Sequence, residues 1–151
     1  MSSSLPRLAI TFGDVAGVGP EVALRASVSQ SCRDVCRPFL VGNLDIARRA
    51  AALIESDIKI ESLSSLAATP SSGSSLGCFD PVGDDVLDVS PGTIDSRSGH
   101  AAYEYLAAAT RAALAGEIDG IVTAPLNKEA LHQGGHPYPG HTEILEELCG
   151  V

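Results

Sequence analysis

Short apolar runs alternate along this chain with segments of helical pattern, and this alternation constrains the fold more than any other feature. Residues 8–12 form one apolar run, which ends at Gly13, and residues 39–41 form a second. A helical pattern follows each run, and Ile58 and Ile60 mark a possible third strand. The order strand, helix, strand, helix, strand predicts an α/β fold, in which helices cover both faces of a parallel sheet.

Residues that favour helix starts support the same pattern. Pro20 suits the first turn of a helix, because it lacks the N–H group that a helix start leaves unpaired. Asn43 is placed to cap a helix over residues 44–54 through its side-chain oxygen. The longest helix is predicted at residues 96–115, where strong helix formers dominate. One face of this helix carries Ala102, Leu106, Ala109 and Ala113.

The remaining segments predict a surface loop, a last strand and two short helices. Residues 62–75 are rich in Ser and contain Pro and Gly, which favours a loop. Residues 118–123 (IDGIVT) predict a buried strand, and Asn127 is placed to cap the short helix that follows it. We find no internal repeat.

Composition limits the classes of partner. The 151 residues, 44% of them hydrophobic, suffice for one domain with its own core. A net charge of −9 disfavours nucleic acid, because such a surface repels phosphates. No stretch approaches the roughly 20 apolar residues of a membrane span, and the N-terminus lacks the pattern of a signal peptide. We therefore expect a cytoplasmic protein with neither a membrane nor a nucleic-acid partner.

No residue spacing predicts a metal site within this chain. The cysteines match neither a redox pair nor a zinc frame, so reduced and mostly buried thiols are expected. His132 and His136 are four residues apart, but Gly134 and Gly135 interrupt the helix that would place them on one face. His100 is expected to be a partly exposed helical residue. The four cysteines are Cys32, Cys36, Cys78 and Cys149.

Three segments offer polar groups for a ligand, and each also has a purely structural interpretation. Residues 13–21 join a strand to a helix, where doubly wound sheets bind ligands, but they match neither a dinucleotide fingerprint nor a phosphate loop. They could also be only a tight turn. Lys128 follows the last strand and could face a ligand or solvent. His141 and Thr142 lie at a helix start, where Thr142 could be the N-cap or the pair could contact a polar substrate.

Three motifs in order resemble one enzyme family. ITFGDVAGVGPE at residues 10–21, GIVTAPLNKEAL at residues 120–131 and YPGHTEILEEL at residues 138–148 are similar to the N-terminal half of the 4-hydroxythreonine-4-phosphate dehydrogenases of pyridoxal phosphate biosynthesis. Val15 stands where that family usually carries Pro, which should loosen the turn modestly. Lys128 matches a recurrent lysine of the family, but no role is assigned to it.

The resemblance implies the α/β/α fold of isocitrate and isopropylmalate dehydrogenases, of which residues 1–151 would be the N-terminal part of a two-domain, homodimeric enzyme. Such enzymes oxidise a phosphorylated hydroxy acid with NAD or NADP and a divalent metal (Zn, Mg or Co), and decarboxylate the product. Carried over to this sequence, His141 and Thr142 are expected to be substrate-binding residues. The metal-binding histidines and most of the cofactor site would lie outside this chain, so we predict no catalytic residue here and no activity from the chain alone.

Two alternatives to oxidation of 4-phosphohydroxy-L-threonine stay open. Relatives of this type act on D-threonate or D-erythronate 4-phosphate, and others act on a cyclic diol carboxylate. The chain could also be a non-catalytic module that binds a small phosphorylated metabolite at His141 and Thr142. A sheet that lacks its later strands would also leave an open edge and an apolar surface, which favours association.

Overall fold

The computed structural model describes residues 4–151 and contains one sheet of five parallel strands. In chain order the strands are β1 (Arg7–Thr11), β2 (Arg37–Val41), β3 (Ile60–Ser62), β4 (Leu76–Phe79) and β5 (Gly120–Thr123). Their order across the sheet is β3-β4-β2-β1-β5, so β1 lies beside β2 on one side and β5 on the other. The predicted α/β class and parallel sheet are confirmed.

Residues 4–151 also contain six helices and one 3-10 turn at Asp84–Val86, and the last two helices follow β5. The helices are α1 (Gly19–Val28), α2 (Gln30–Arg33), α3 (Leu44–Leu53), α4 (Ser96–Leu114), α5 (Lys128–Gln133) and α6 (His141–Cys149). Right-handed crossovers place α1 and α3 together on one face of the sheet. The connection through α4 runs across the sheet in the opposite direction, so α4 covers the other face, and α5 and α6 pack on it. The result is an α/β/α arrangement.

Three local predictions differ from the structure. The third strand begins at Ile60 and not at Ile58, and β4 was not predicted. The strand β5 is not buried, because among residues 4–151 it pairs only with β1, and Val122 is 46% exposed on the open side. The open edge expected from the resemblance is therefore present in the described part of the chain. The short β4 is hard to find in the sequence because LGCF directly follows a Ser-rich loop.

Small side chains let α4 lie close to the sheet and to α5. Alanines alternate with Tyr105 and Leu106 on its buried side, and the Tyr105 ring meets the Phe12 ring edge to face with centroids 6.2 Å apart. At Gly99 a Cβ would overlap the Ala130 carbonyl, so α4 and α5 are in backbone contact. A second apolar cluster of Leu106, Leu131 and Ile144 fixes α6 against these two helices.

The four cysteines are free thiols, as expected, but they are less uniformly buried than predicted. Cys36 and Cys78 are buried, Cys32 is half-buried and Cys149 is exposed. Burial is the main cause that raises the pKa of Cys36 to about 11 and of Cys78 to about 12. Both buried thiols are therefore protonated and unreactive at neutral pH.

Asn43 caps α3 as predicted and also ties that helix to the loop after β4. Its Oδ1 accepts from the amides of Asp45 and Ile46 at 2.9 and 3.1 Å, and its Nδ2 donates to Asp80 at 2.9 Å and to the Gly83 carbonyl at 3.1 Å. The side chain is only 2% exposed. Asn127 caps α5 in the same way through the amide of Ala130.

We expect Asn43→Ala to lower the free energy of unfolding by about 2–4 kcal/mol, because it removes a cap and leaves buried partners without hydrogen bonds. Urea unfolding followed by circular dichroism measures this. Asp45→Ala, which removes only an exposed ion pair to Arg48, is the control and should change stability by less than about 1 kcal/mol. Equal losses in the two variants would contradict the role of Asn43.

Candidate functional site

The carboxyl ends of β1 and β5 define the candidate site. The chain leaves β1 toward β2 on one side, whereas β5 occupies the other side of β1, so the connections after these two strands diverge. Open α/β sheets bind their ligands in the crevice at such a switch point. The motif at residues 10–21 follows β1, and the motif at residues 120–131 includes β5 and the turn after it.

Close backbone packing joins the two connections. The Asp14 amide donates to the Pro125 carbonyl at 2.9 Å, and the Ala124 amide donates to Thr11 at 3.1 Å. Gly13 has a φ of +62°, and a Cβ there would overlap the Pro125 carbonyl oxygen. Only glycine fits both conditions, so this glycine sets the distance between the two loops.

The loop after β1 is held from within by a buried carboxylate. Asp14 is 7% exposed, and its Oδ1 accepts from the Ala16 amide at 3.0 Å and from the Ser98 hydroxyl of α4. The Gly17 amide donates to the Asp14 carbonyl at 3.1 Å. Asp14 therefore fixes the loop against α4. The Ser98 contact was not predicted, because nothing in the sequence indicates that these two residues meet.

His141 is the first residue of α6 and reaches back to the turn after β5. Its half-buried ring lies beside the carbonyl of Ala124. Burial lowers the pKa of His141 below its ordinary value of 6.5, and the Ala124 carbonyl acts in the opposite direction. The lowered pKa favours the neutral imidazole at neutral pH. Ile144, which is 1% exposed, fixes the helix that carries it.

Thr142 does not cap this helix, so that structural interpretation is wrong. The N-cap is Gly140, with extended backbone (φ 177°) and no side-chain hydrogen bond, because helix formation begins two residues earlier than a Thr142 cap would require. The Thr142 hydroxyl is exposed in the first turn, beside amides that the helix itself does not use. This end of α6 therefore presents hydrogen-bond donors next to the His141 ring.

The other polar residues to consider are a lysine, three histidines and a glutamate, which differ in location and exposure. Lys128 is the first residue of α5 and is exposed, on the side of the sheet where β5 ends. His132 is exposed, His136 is half-buried and His100 is an exposed residue of α4, as expected. Glu21 in the first turn of α1 has an Oε2 that is buried and has no hydrogen-bond partner among residues 4–151. Sequence patterns gave no signal for Glu21.

Residues 4–151 contain no group of three His, Cys, Asp or Glu side chains placed to hold a metal ion. The His132 and His136 rings do not form a pair, because the Nε2 of His132 bonds the Tyr138 carbonyl and that of His136 bonds His100. A divalent metal therefore does not fit the described residues alone, and no chemical step is derived through one. Within the same part of the chain, no helix is both long and apolar enough to cross a membrane.

The lowered pKa of His141 predicts how stability depends on pH. A histidine whose folded-state pKa is depressed contributes its full stability above 6.5, and this is lost as the pH falls through the folded-state pKa. His136 shifts in the same direction. We expect the free energy of unfolding to decrease below pH 6.5, and we expect His141→Gln to weaken this decrease in urea titrations at several pH values. An identical pH dependence in the variant would contradict burial of a neutral His141.

Comparison with known proteins places the chain in a family. The model of the family described as pyridoxal phosphate biosynthetic protein PdxA matches residues 34–151, which include α6 and the turn after β5. The chain belongs to the PdxA family. The resemblance to 4-hydroxythreonine-4-phosphate dehydrogenases is thereby confirmed, and the motifs at residues 120–131 and 138–148 lie within the matched range.

Individual members of the PdxA family match almost the whole chain. It is 37% identical over 156 residues to D-threonate 4-phosphate dehydrogenase of Cupriavidus necator, covering 100% of this chain and 45% of that protein. It is also 37% identical over 150 residues to 4-hydroxythreonine-4-phosphate dehydrogenase of Trichlorobacter lovleyi, covering 99% of this chain and 45% of that protein. The crystal structure of a 4-hydroxythreonine-4-phosphate dehydrogenase from Burkholderia phymatum superposes with a TM-score of 0.91 at 40% identity. The match covers 99% of this chain and 45% of that protein. The chain thus spans less than half the length of these relatives.

Proposed function

We propose that this chain is the N-terminal portion of a PdxA-family dehydrogenase that oxidises a small phosphorylated hydroxy acid. The relatives that match it end to end are named as dehydrogenases of 4-hydroxythreonine 4-phosphate or of D-threonate 4-phosphate. Oxidation of 4-phosphohydroxy-L-threonine, with decarboxylation, in pyridoxal phosphate biosynthesis is the first candidate activity. Oxidation of D-threonate or D-erythronate 4-phosphate is the second, since a D-threonate enzyme is equally similar.

The observation that carries the proposal is the position of His141 and Thr142 at the switch point. The helix start offers the Thr142 hydroxyl, free amides and a His141 ring beside the turn after β5. An oxyanion of the substrate could accept hydrogen bonds from the Thr142 hydroxyl and the free amides, which a helix N-terminus favours despite the net negative charge of the chain. The unprotonated nitrogen of the neutral His141 ring could accept a hydrogen bond from a substrate hydroxyl. In this proposal both residues bind and orient the substrate, and neither transfers a proton or a hydride.

The cofactor, the metal and the partner subunit belong to the proposal as well. NAD or NADP would accept the hydride, and a divalent metal would be bound by groups outside residues 4–151. A homodimer would complete the cleft, and a cytoplasmic location would accord with the free thiols. Residues 1–151 alone should have no dehydrogenase activity, because residues 4–151 contain no set of side chains placed to hold a metal ion.

An assay of the complete protein tests the proposal. It should reduce NAD or NADP with 4-phosphohydroxy-L-threonine, D-threonate 4-phosphate or D-erythronate 4-phosphate in the presence of Zn²⁺, Mg²⁺ or Co²⁺, and the ratio of kcat/KM values identifies the substrate. The isolated 151-residue chain is the matched control and should give no turnover. Binding of these compounds by calorimetry without turnover of the complete protein would favour a non-catalytic module instead.

A further inference from the structure

A stack of aromatic rings lies beside the segment that leads into α6. The rings of Tyr103 and His136 are parallel within 9° with centroids 3.8 Å apart, and Tyr103 also stacks on Tyr138 at 5.9 Å. The His100 ring is nearly coplanar with that of His136, at an interplanar angle of 16°, and the two rings meet edge to edge with centroids 5.2 Å apart. Tyr103 and His100 belong to α4, whereas His136 and Tyr138 belong to the α5–α6 loop, defined as residues 134–140.

Hydrogen bonds reinforce this stack. The His100 Nδ1 and the His136 Nε2 are 2.9 Å apart, so one ring nitrogen donates to the other. The Nε2 of His132 donates to the Tyr138 carbonyl at 2.9 Å, and the His136 amide donates to the Leu131 carbonyl at 3.0 Å. The hydrogen bond between the two imidazoles requires that one ring nitrogen carries no proton. If both imidazoles are charged, neither has an acceptor nitrogen.

We propose that His136 is a positioning residue, which holds the α5–α6 loop on α4 and so fixes His141, and which releases the loop when both imidazoles of the His100–His136 pair carry a proton. The geometry supports this role because His136 contacts α4 twice, through a ring face on Tyr103 and through its Nε2, at the edge of the ring, on His100. The loop then enters α6 directly at His141, five residues later. The effect of this positioning of His141 on substrate binding rests on the function proposed above.

The charged and titratable groups around the pair favour a single proton. Burial and then the charge of His100 lower the pKa of His136, while the carboxylate of Glu104 on α4 raises it. The nearby Glu147 carboxylate of α6 is the main cause that raises the pKa of Tyr138 to about 12, so this phenol stays neutral. Other neighbours that can carry charge are His132 of α5, and Arg97 and Asp85 around the cavity beside His100. Acidification below 6.5 therefore weakens the contact between loop and α4.

Nuclear magnetic resonance of the complete protein, labelled with carbon-13 at histidine Cε1 and with nitrogen-15, tests the inference between about pH 7.5 and pH 5. We expect His136 to gain its proton below the ordinary range, and the amides of residues 134–140 to shift with the same midpoint. In His100→Gln that midpoint should rise, since the competing charge is gone. In His136→Phe, which keeps a ring on Tyr103 but lacks the bond to His100 and cannot titrate, the loop amides should not shift with pH over this range. Arg111→Gln, at an exposed position on α4, should behave as wild type.

Two results would overturn the inference. One is loop amides that do not move over this pH range in the wild type. The other is loop amides that move equally in His136→Phe, which would assign the change to His132 or His141. If the enzyme turns over, His136→Ala should raise KM about tenfold at pH 7.5, with kcat little changed. The magnetic resonance result needs no substrate, so it stands or fails independently of the proposed function.

Discussion

Replacing Gly13 by alanine is expected to lower the free energy of unfolding by about 2–5 kcal/mol and to weaken substrate binding. A non-glycine residue at a φ of +62° is strained, and the new Cβ would overlap the carbonyl oxygen of Pro125. The loop after β1 must then move away from the turn after β5, which bears the Ala124 carbonyl that His141 contacts. Urea unfolding measures the first effect, and KM of the complete enzyme measures the second.

Gly17→Ala is the matched control, because it adds the same methyl group to the same loop. The nearest atoms to a Cβ at Gly17 belong to Asp14, at 3.5 Å or more, which is ordinary contact. This variant should change stability by no more than about 0.5–1 kcal/mol. If Gly13→Ala were as stable as Gly17→Ala, the packing of the two loops would not set the geometry of the site.

Replacing His141 by alanine in the complete enzyme is expected to lower kcat/KM by about 10- to 100-fold, and Thr142→Ala by a smaller factor. The larger effect belongs to His141 because its ring is already half-buried in the fold, so little order is lost when substrate binds. Steady-state kinetics with the substrate identified by the assay measures both. Both variants should mainly raise KM and leave kcat little changed, since neither residue is proposed to transfer a proton.

Glu146→Ala provides the control on the same helix. Glu146 is exposed and lies more than a turn beyond the helix start, so its loss should leave kcat/KM within about twofold. The double variant His141→Ala, Thr142→Ala should lose no stability beyond that of His141→Ala alone, because Thr142 makes no capping bond. Unchanged KM and kcat in the double variant would remove these residues from substrate binding.

Much of the arrangement of strands and helices was predictable, because local sequence preferences and tertiary packing favour the same structure there. Strand-length apolar runs marked β1, β2 and β5, and Asn43 and Asn127 cap helices as their side-chain chemistry predicts. The motif resemblance supplied the family, which the family model confirms. Periodicity alone would have left His141 as one polar residue among several at a helix start.

The features that sequence patterns could not predict depend on contacts between segments that are distant in the sequence. The hydrogen bond between Ser98 and Asp14 joins residues 84 positions apart, and the His100–His136 pair spans 36 positions. Burial of β5 was overestimated because an apolar run predicts a covered strand, whereas residues 4–151 supply it with one neighbour only. Thr142 was a plausible cap by composition, but Gly140 takes that position once Ile144 is packed against α4 and α5.

The most direct test of the central claim is a crystal structure of the complete protein with D-threonate 4-phosphate or 4-phosphohydroxy-L-threonine bound. We predict an oxygen of the ligand within about 3 Å of a His141 ring nitrogen and another within about 3 Å of the Thr142 hydroxyl, at the carboxyl ends of β1 and β5. A ligand held elsewhere, with neither group within hydrogen-bond reach, would contradict the assignment of this helix start as the substrate-binding site.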